Sequence, residues 1–257
     1  MPWLPPFPAS AFDFLGVRIH RLDRAELLSC FERALEEPGQ KRFAYLNVAV
    51  SNQSADDPRV GELLNRADLV YVDGAGIQLG CKLLGAWCPP RNTGADFLPE
   101  VLELCARRGW SVGFLGGSPG AAERVRKIYM DRIPQLVINF VRDGYTGVAD
   151  WQGCHQELLA ARPDLLLVGL GVPLQEEWIE THRTEFPVRL YWSVGALFEY
   201  DGGGLSRCPG WMGPLGLEWL YRLLMEPGRL WKRYLVGNPR FLLRCLCSRW
   251  LGRGGMR

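Results

Sequence analysis

No C-x-x-C pair occurs among the eight cysteines, Cys245-x-Cys247 is too tight for a usual zinc pair, and Cys81 and Cys88 have no histidine nearby. That argues against a zinc ribbon. Eight cysteines in 257 residues are also too sparse for a small disulfide scaffold, so they read as reduced, mostly structural thiols. No run approaches about 18 uninterrupted apolar residues, so no helix is expected to span a bilayer. The opening MPWLPPFPAS lacks both a basic start and a continuous apolar stretch, and no signal peptide is expected there. Histidine is scarce, at three, and His20, His155 and His182 are spread as surface residues would be. No Ser/His/Asp order stands out. No Asp-x-Asp lies at a strand end, so no metal site and no cofactor is expected.

Acidic residues are missing from one region in particular. From Arg229 onward the chain carries eight Arg/Lys and no Asp/Glu, out of totals of 30 and 28. The rest therefore holds 30 − 8 = 22 basic against 28 acidic residues, −6 against a tail of +8. A tail of that sign suits an anionic partner such as a membrane surface, lipid phosphate or nucleic acid.

Nearly half the residues are hydrophobic, 47 %, enough for a substantial core. Short apolar runs alternate with helical patterns. Strands are expected over 14–20, 43–46, 69–72, 111–115, 136–141, 164–168 and 188–193. Helices are expected from Asp23 to about Glu37, over 58–66, 77–84 and 96–108, from Gly120 to about Asp131, and over 150–161 and 176–182. This alternation predicts an α/β, Rossmann-like, mostly parallel sheet. After about Pro209 the pattern changes: Leu217, Leu220, Tyr221 and Leu224 recur at helical spacing. A last helix begins at Asn238-Pro239 with Leu242, Leu243, Leu246 and Trp250 on one side. Residues 1–208 thus read as a catalytic α/β domain, and 209–257 as a basic amphipathic helical appendage that docks on a membrane.

In an open α/β sheet, ligands bind beyond the carboxyl ends of the strands. Leu69–Val72 delivers Asp73 to such a place, followed by Gly74-Ala75-Gly76. Asp73 there is a candidate acid or base, or a helix cap. Arg91 is either a surface ion pair or a diphosphate clamp. Asn47 and Gln175 lie past strand ends, where they either cap loops or bond sugar hydroxyls. Gly116-Gly117-Ser118-Pro119-Gly120 opens a helix after a strand. It is either a tight turn or a phosphate cradle, and its spacing does not fit a dinucleotide fingerprint.

The residues resemble the WecG/TagA/CpsF glycosyltransferase family. The resemblance runs from about 14 to 243 through Leu46-Asn47, Asp73-Gly74, Arg91-Asn92-Thr93-Gly94-Ala95-Asp96, Gly116-Gly117, Arg142-Asp143-Gly144-Tyr145, Gly169 to Gln175-Glu176, Val194-Gly195-Ala196, Arg207, Gly216-Leu217-Glu218-Trp219, Arg222, Arg229 and Arg233-Tyr234. It implies inverting transfer of a hexosyl or N-acetylhexosaminyl unit from a UDP-sugar to a polyprenyl-diphosphate-linked sugar, at the cytoplasmic membrane face, in cell-surface polysaccharide synthesis. Asp73 matches the family's proposed base. Tyr45, Asn47, Arg91, Asp96, Gly116, Gly117, Gly144, Tyr145, Gly169, Gln175 and Arg229 are the implied substrate contacts. Tyr45 departs from a more usual Thr, and Ser206-Arg207-Cys208 from a more usual Arg/Lys-Arg-Ala. The resemblance implies no nucleic-acid partner. The rival from the residues alone is a non-catalytic nucleotide or nucleic-acid binding protein.

Overall fold

The computed structural model describes residues 10–145, 150–203, 208, 209, 212 and 216–251. The leader reading of residues 1–9 and the matches at Ser206 and Arg207 lie outside them. The chain forms two compact units: Met1–Asp23, Tyr45–Thr93 and Ser206–Arg257 in the first, and Arg24–Ala44 and Gly94–Leu205 in the second.

The second unit is built on a parallel sheet. Strands β3 (Lys41–Leu46), β5 (Ser111–Gly116), β6 (Val137–Arg142), β7 (Leu165–Gly169) and β8 (Leu190–Ser193) are ordered β3-β8-β7-β5-β6. β7, Leu-Leu-Leu-Val-Gly, is buried at all five positions, which is why it reads as a continuous apolar run rather than an alternating one. Phe31 of α1 (Arg24–Glu36) and Phe97 of α5 (Gly94–Arg108) pack on one face with Phe43 and Trp192. The Phe31 ring lies 4.7 Å from Trp192, 4.8 Å from Phe43 and 5.4 Å from Phe97, edge-on or tilted as aromatic quadrupoles favour. A second cluster joins Leu115, Phe140, Leu158 of α7 (Trp151–Ala161), Leu166, Tyr191 and Trp178.

The first unit receives the end of β3, Tyr45-Leu46. Beside it runs β4 (Leu69–Val72), and the Asp73 N–H donates to the Leu46 carbonyl at 2.9 Å. The single strand expected over 14–20 is instead a hairpin, β1 (Ala11–Phe14) and β2 (Val17–His20). Leu15 and Gly16 turn it with φ of 53° and 92°, and a two-residue hairpin turn of this hand requires positive φ. The helix α2 (Val48–Asp56) was not expected, because Val, Ser and Asn are indifferent helix formers. It exists because the Asn47 side chain caps it, accepting the Val50 N–H at 3.0 Å, and because the Asn52 amide donates to the Gly237 carbonyl at 2.8 Å. α3 (Pro58–Asn65) and α4 (Ala75–Leu84) follow.

The C-terminal residues complete this unit with α10 (Glu218–Met225), α11 (Pro227–Trp231), a π-helical turn (Lys232–Val236) and α12 (Gly237–Trp250). α12 buries Phe241 and Cys245, and leaves Leu243 and Trp250 exposed at 62 % and 88 %. Of the side that the spacing marked as apolar, Leu242, Leu243, Leu246 and Trp250, the last three are exposed. A Cβ on Gly80 of α4 would lie 2.7 Å from the Phe241 ring and 2.8 Å from the Phe14 ring, so only hydrogen fits at this crossing. Much of the tail's charge is paired within the unit: Arg229 bonds Glu226, Arg240 bonds Asp56, and Arg244 donates to the Ser51 carbonyl.

All eight cysteines are unpaired thiols. Burial pushes Cys81 up to about 12 and Cys245 up to about 11, which suits packing rather than reactivity. Among the described residues no helix is long and apolar enough to cross a membrane.

His20 is buried, 2 % exposed, and not a surface residue. The Val70 N–H donates to its Nδ1 at 2.9 Å, a bond that a neutral ring can accept. Nor are the other two histidines apart: His155 and His182 meet on the Glu185 carboxylate, each at 2.9 Å.

Candidate active site

A cavity of about 580 Å³ opens in the first unit, and Asp73 stands in its wall with Asn47 and Arg91. β4 delivers Asp73, whose side chain does not cap the next helix: the N-cap of α4 is Gly74, with no side-chain bond. Gly74 has φ 90° and ψ 153°, a conformation open to glycine and strained for any other residue. The carboxylate is thus turned to the cavity rather than engaged in holding the helix.

Asn47 takes the capping role its position allowed and also reaches Asp73. Its Oδ1 takes the Val50 N–H, and that bond orients Nδ2 toward Asp73 Oδ2 at 3.4 Å. Burial pushes the Asp73 carboxyl above the ordinary range. The Arg222 charge, the Asn47 bond and the Arg233 charge pull it back, while Glu218 adds to the rise. A carboxylate so placed takes a proton more readily than one in water, the property a general base needs.

Four charged residues share the cavity wall with Asp73: Arg91, Glu218, Arg222 and Arg233. Glu218 Oε2 lies 3.3 Å from Arg91 Nη1, and Oε1 accepts a bond from Arg222 Nη2. Sequence reading placed Glu218 and Arg222 in a matching segment without giving either a role, and Arg233 likewise. The available signal was Glu218 and Arg222 one turn apart in a segment otherwise rich in Leu, Trp and Tyr. Their approach to Asp73 is a tertiary fact that no local pattern carries. The apolar part of the wall comes from Leu79, Trp219, Leu235, Phe241 and Leu242.

Other expected contacts lie elsewhere. Tyr45, half-buried, sets its ring 6.4 Å from that of Tyr71. Arg229 is on α11, its side chain 57 % exposed and bonded to Glu226. Asp96 is exposed in the first turn of α5, in the second unit.

The glycines gather in the second unit, after the strand ends. Gly116 and Gly169 end β5 and β7 and are buried against each other; a Cβ on Gly116 would lie 2.4 Å from the Gly169 carbonyl carbon. Gly117 donates to the Gly169 carbonyl at 3.1 Å, and Gly144 to the Gly117 carbonyl at 2.9 Å. Gly117 and Gly144 are partly open, and Tyr145 beyond them is 70 % exposed. The turn before α6 (Ala121–Arg132) already holds an anion of the chain's own. The Ser118 N–H and hydroxyl donate to the Glu199 carboxylate at 2.6 and 3.0 Å. With Gly117 N–H also taken and Pro119 lacking one, the cradle expected for a phosphate is internally satisfied at these positions. Glu199, from α9 (Leu197–Asp201), was the missed residue.

Gln175, in α8 (Leu174–His182), is fully buried. Its Oε1 accepts the Gly195 N–H at 3.0 Å, and its Nε2 donates to Glu176 Oε1 at 2.7 Å. Both ends of the amide are therefore engaged inside the protein. Burial pushes the neighbouring Glu176 up to about 7, against the bond from Gln175.

Comparison with known proteins gives the family. The model of the glycosyl transferase WecG/TagA/CpsF family matches residues 12–254. A relative in Bacillus spizizenii is 31 % identical over 201 residues, 78 % of this chain and 76 % of its own length. Relatives in Bacillus subtilis, at 28 % over 78 % of this chain and 77 % of their own, and in Staphylococcus aureus, at 29 % over 73 % and 71 %, are similar. All three are named N-acetylglucosaminyldiphosphoundecaprenol N-acetyl-beta-D-mannosaminyltransferase. A family match over nearly the whole chain makes the assignment: the chain belongs to the WecG/TagA/CpsF family of glycosyltransferases.

Proposed function

We propose that this glycosyltransferase moves an N-acetylhexosaminyl unit, N-acetylmannosamine first among the candidates, from its UDP-sugar to a sugar carried on polyprenyl diphosphate. The observation that carries the reading is Asp73, raised by burial, oriented by Asn47 and accompanied by three arginines in one cavity. The relatives' names supply the acceptor class.

In the proposed step Asp73 takes the proton of the acceptor hydroxyl as its oxygen attacks the anomeric carbon. The bond from that carbon to the UDP oxygen breaks, and UDP leaves with the electron pair, inverting the centre. Arg91, Arg222 and Arg233 are the proposed positive partners for the phosphates, in keeping with the expectation that no metal or other cofactor is required. Gln175 acts through Gly195 and Glu176 rather than on the sugar.

Membrane docking is the proposed role of the aromatic and apolar residues that the C-terminal helices leave outward. Trp231 is 45 % exposed, Leu235 57 %, Leu243 62 % and Trp250 88 %. The proposed location is the inner face of the membrane, where a lipid-linked acceptor would be met. Replacing Trp231, Leu243 and Trp250 together by Ser should abolish co-sedimentation with anionic vesicles; full retention rejects the docking.

The test of the activity is UDP release in detergent from a panel of UDP-sugars, with and without N-acetylglucosaminyl-diphosphoundecaprenol. Acceptor-dependent release is expected, strongest with UDP-N-acetylmannosamine. Asp73→Asn is expected to lower turnover by about 10²-fold or more while the thermal midpoint stays in place. No acceptor-dependent release from folded protein, or full activity in Asp73→Asn, overturns the reading.

A further inference from the structure

Three guanidiniums, Arg91, Arg222 and Arg233, share a cavity with one poised carboxylate, Asp73. Such an arrangement tends to defeat a base. A guanidinium paired with a carboxylate stabilises its charged form and lowers its affinity for a proton. Something must hold the arginines near the phosphates' place and yet not on Asp73.

Glu218 stands where that task is done. It opens α10 at the cavity wall, and its two oxygens face two different arginines. Oε2 is 3.3 Å from Arg91, which lies 127 positions earlier in the chain, and Oε1 accepts from Arg222, one turn along the same helix. The three side chains are 22–25 % exposed, so the pairing is shielded from bulk water without being sealed. Resting on the reading of Asp73 as the base, we infer that Glu218 is a positioning residue, a yoke that joins Arg91 to Arg222 on the cavity wall and keeps Arg222 from pairing with Asp73.

The groups facing Asp73 are then Asn47 from the end of β3, Glu218 and Arg222 from α10, and Arg233 from the π-helical turn, with Arg91 on the same wall. Glu218 adds a negative charge near Asp73 and screens a positive one. Both effects raise the affinity of Asp73 for a proton, and both vanish together in Glu218→Gln.

The experiment titrates the carboxyl of Asp73 by carbon-13 NMR in the full chain, with its signal assigned by its loss in Asp73→Asn. Wild type, Glu218→Gln and Glu218→Asp are compared, each checked for folding by thermal melting. In Glu218→Gln the Asp73 midpoint should move to lower pH. The acid limb of the transfer rate should move with it, and the plateau should fall about tenfold as the arginines lose their placement. In Glu218→Asp the charge remains but the reach is one methylene shorter, so the midpoint should stay near wild type while the rate still falls. An unmoved Asp73 midpoint in Glu218→Gln overturns the yoke, and so does a wild-type rate in Glu218→Asp. If Glu218→Gln fails to fold, the Glu218→Asp rate alone decides. The titration needs no substrate, so it separates the two ideas. A shifted midpoint beside full activity in Asp73→Asn sinks the base and leaves the yoke standing.

Discussion

The two units differ in where they put their polar groups. In the second, β7 is buried at every position, and even the wholly buried Gln175 has both ends of its amide bonded within the protein. In the first, carboxylates and guanidiniums are gathered half-buried around a cavity, and large apolar side chains on α10 to α12 are left outward. Satisfied, dry packing gives a unit stability and leaves it little to react with. Partly desolvated charge gives reactivity, because the same charges would be screened in water. One unit is organised to hold a shape and the other to hold a chemical tension. Substitutions in the two should therefore register on different instruments.

The largest expected effect on stability is in the second unit. Phe31 is wholly buried among Phe43, Phe97 and Trp192. Phe31→Ala should cost about 3–5 kcal/mol, read from the urea midpoint. A loss under about 1 kcal/mol would break the contrast, since it would mean this packing is not what holds the unit. Asp73→Asn in the first unit should do the opposite, removing turnover and sparing stability.

A smaller effect sharpens the contrast within the first unit. His20 is held neutral, its value lowered from 6.5 to about 4 by burial. A histidine lowered in the folded state supports the fold above about pH 6.5. That support is lost as pH falls toward 4, because the unfolded chain takes the proton first. Between pH 7 and 4.5 wild type should therefore lose up to about 3 kcal/mol more than His20→Asn, whose amide oxygen still accepts the Val70 N–H. Parallel urea midpoints for the two proteins over that range would remove His20 as the cause.

The sheet was readable because its strands are short apolar runs alternating with helical patterns, and Asp73 because it ends one of them just ahead of Gly74. α2 was hidden because its residues are indifferent helix formers and it leans on one adjacent cap and on remote bonds to α12. The hairpin was hidden because Leu15 sits where Asn or Gly would have announced the turn. The yoke was out of reach for a related reason. Glu218 acquires its meaning from Arg91, and nothing near either residue in sequence points to the other. Glu199 was missed because the glycines before α6 advertised a vacancy that a carboxylate 81 residues away fills.

The hydrogen on Gly80 has a practical consequence. Because Phe241 sits against the helix backbone there, beside Phe14, α12 is a fitted part of its unit and not a detachable handle. Cutting the chain at Arg229 to obtain a simpler protein would leave a phenyl-sized socket open to water, lined by side chains that have no other cover. The shortened protein would be a sticky one, and whatever it failed to do could not be credited to the missing segment. Questions about the tail are better put one side chain at a time, from its outer face.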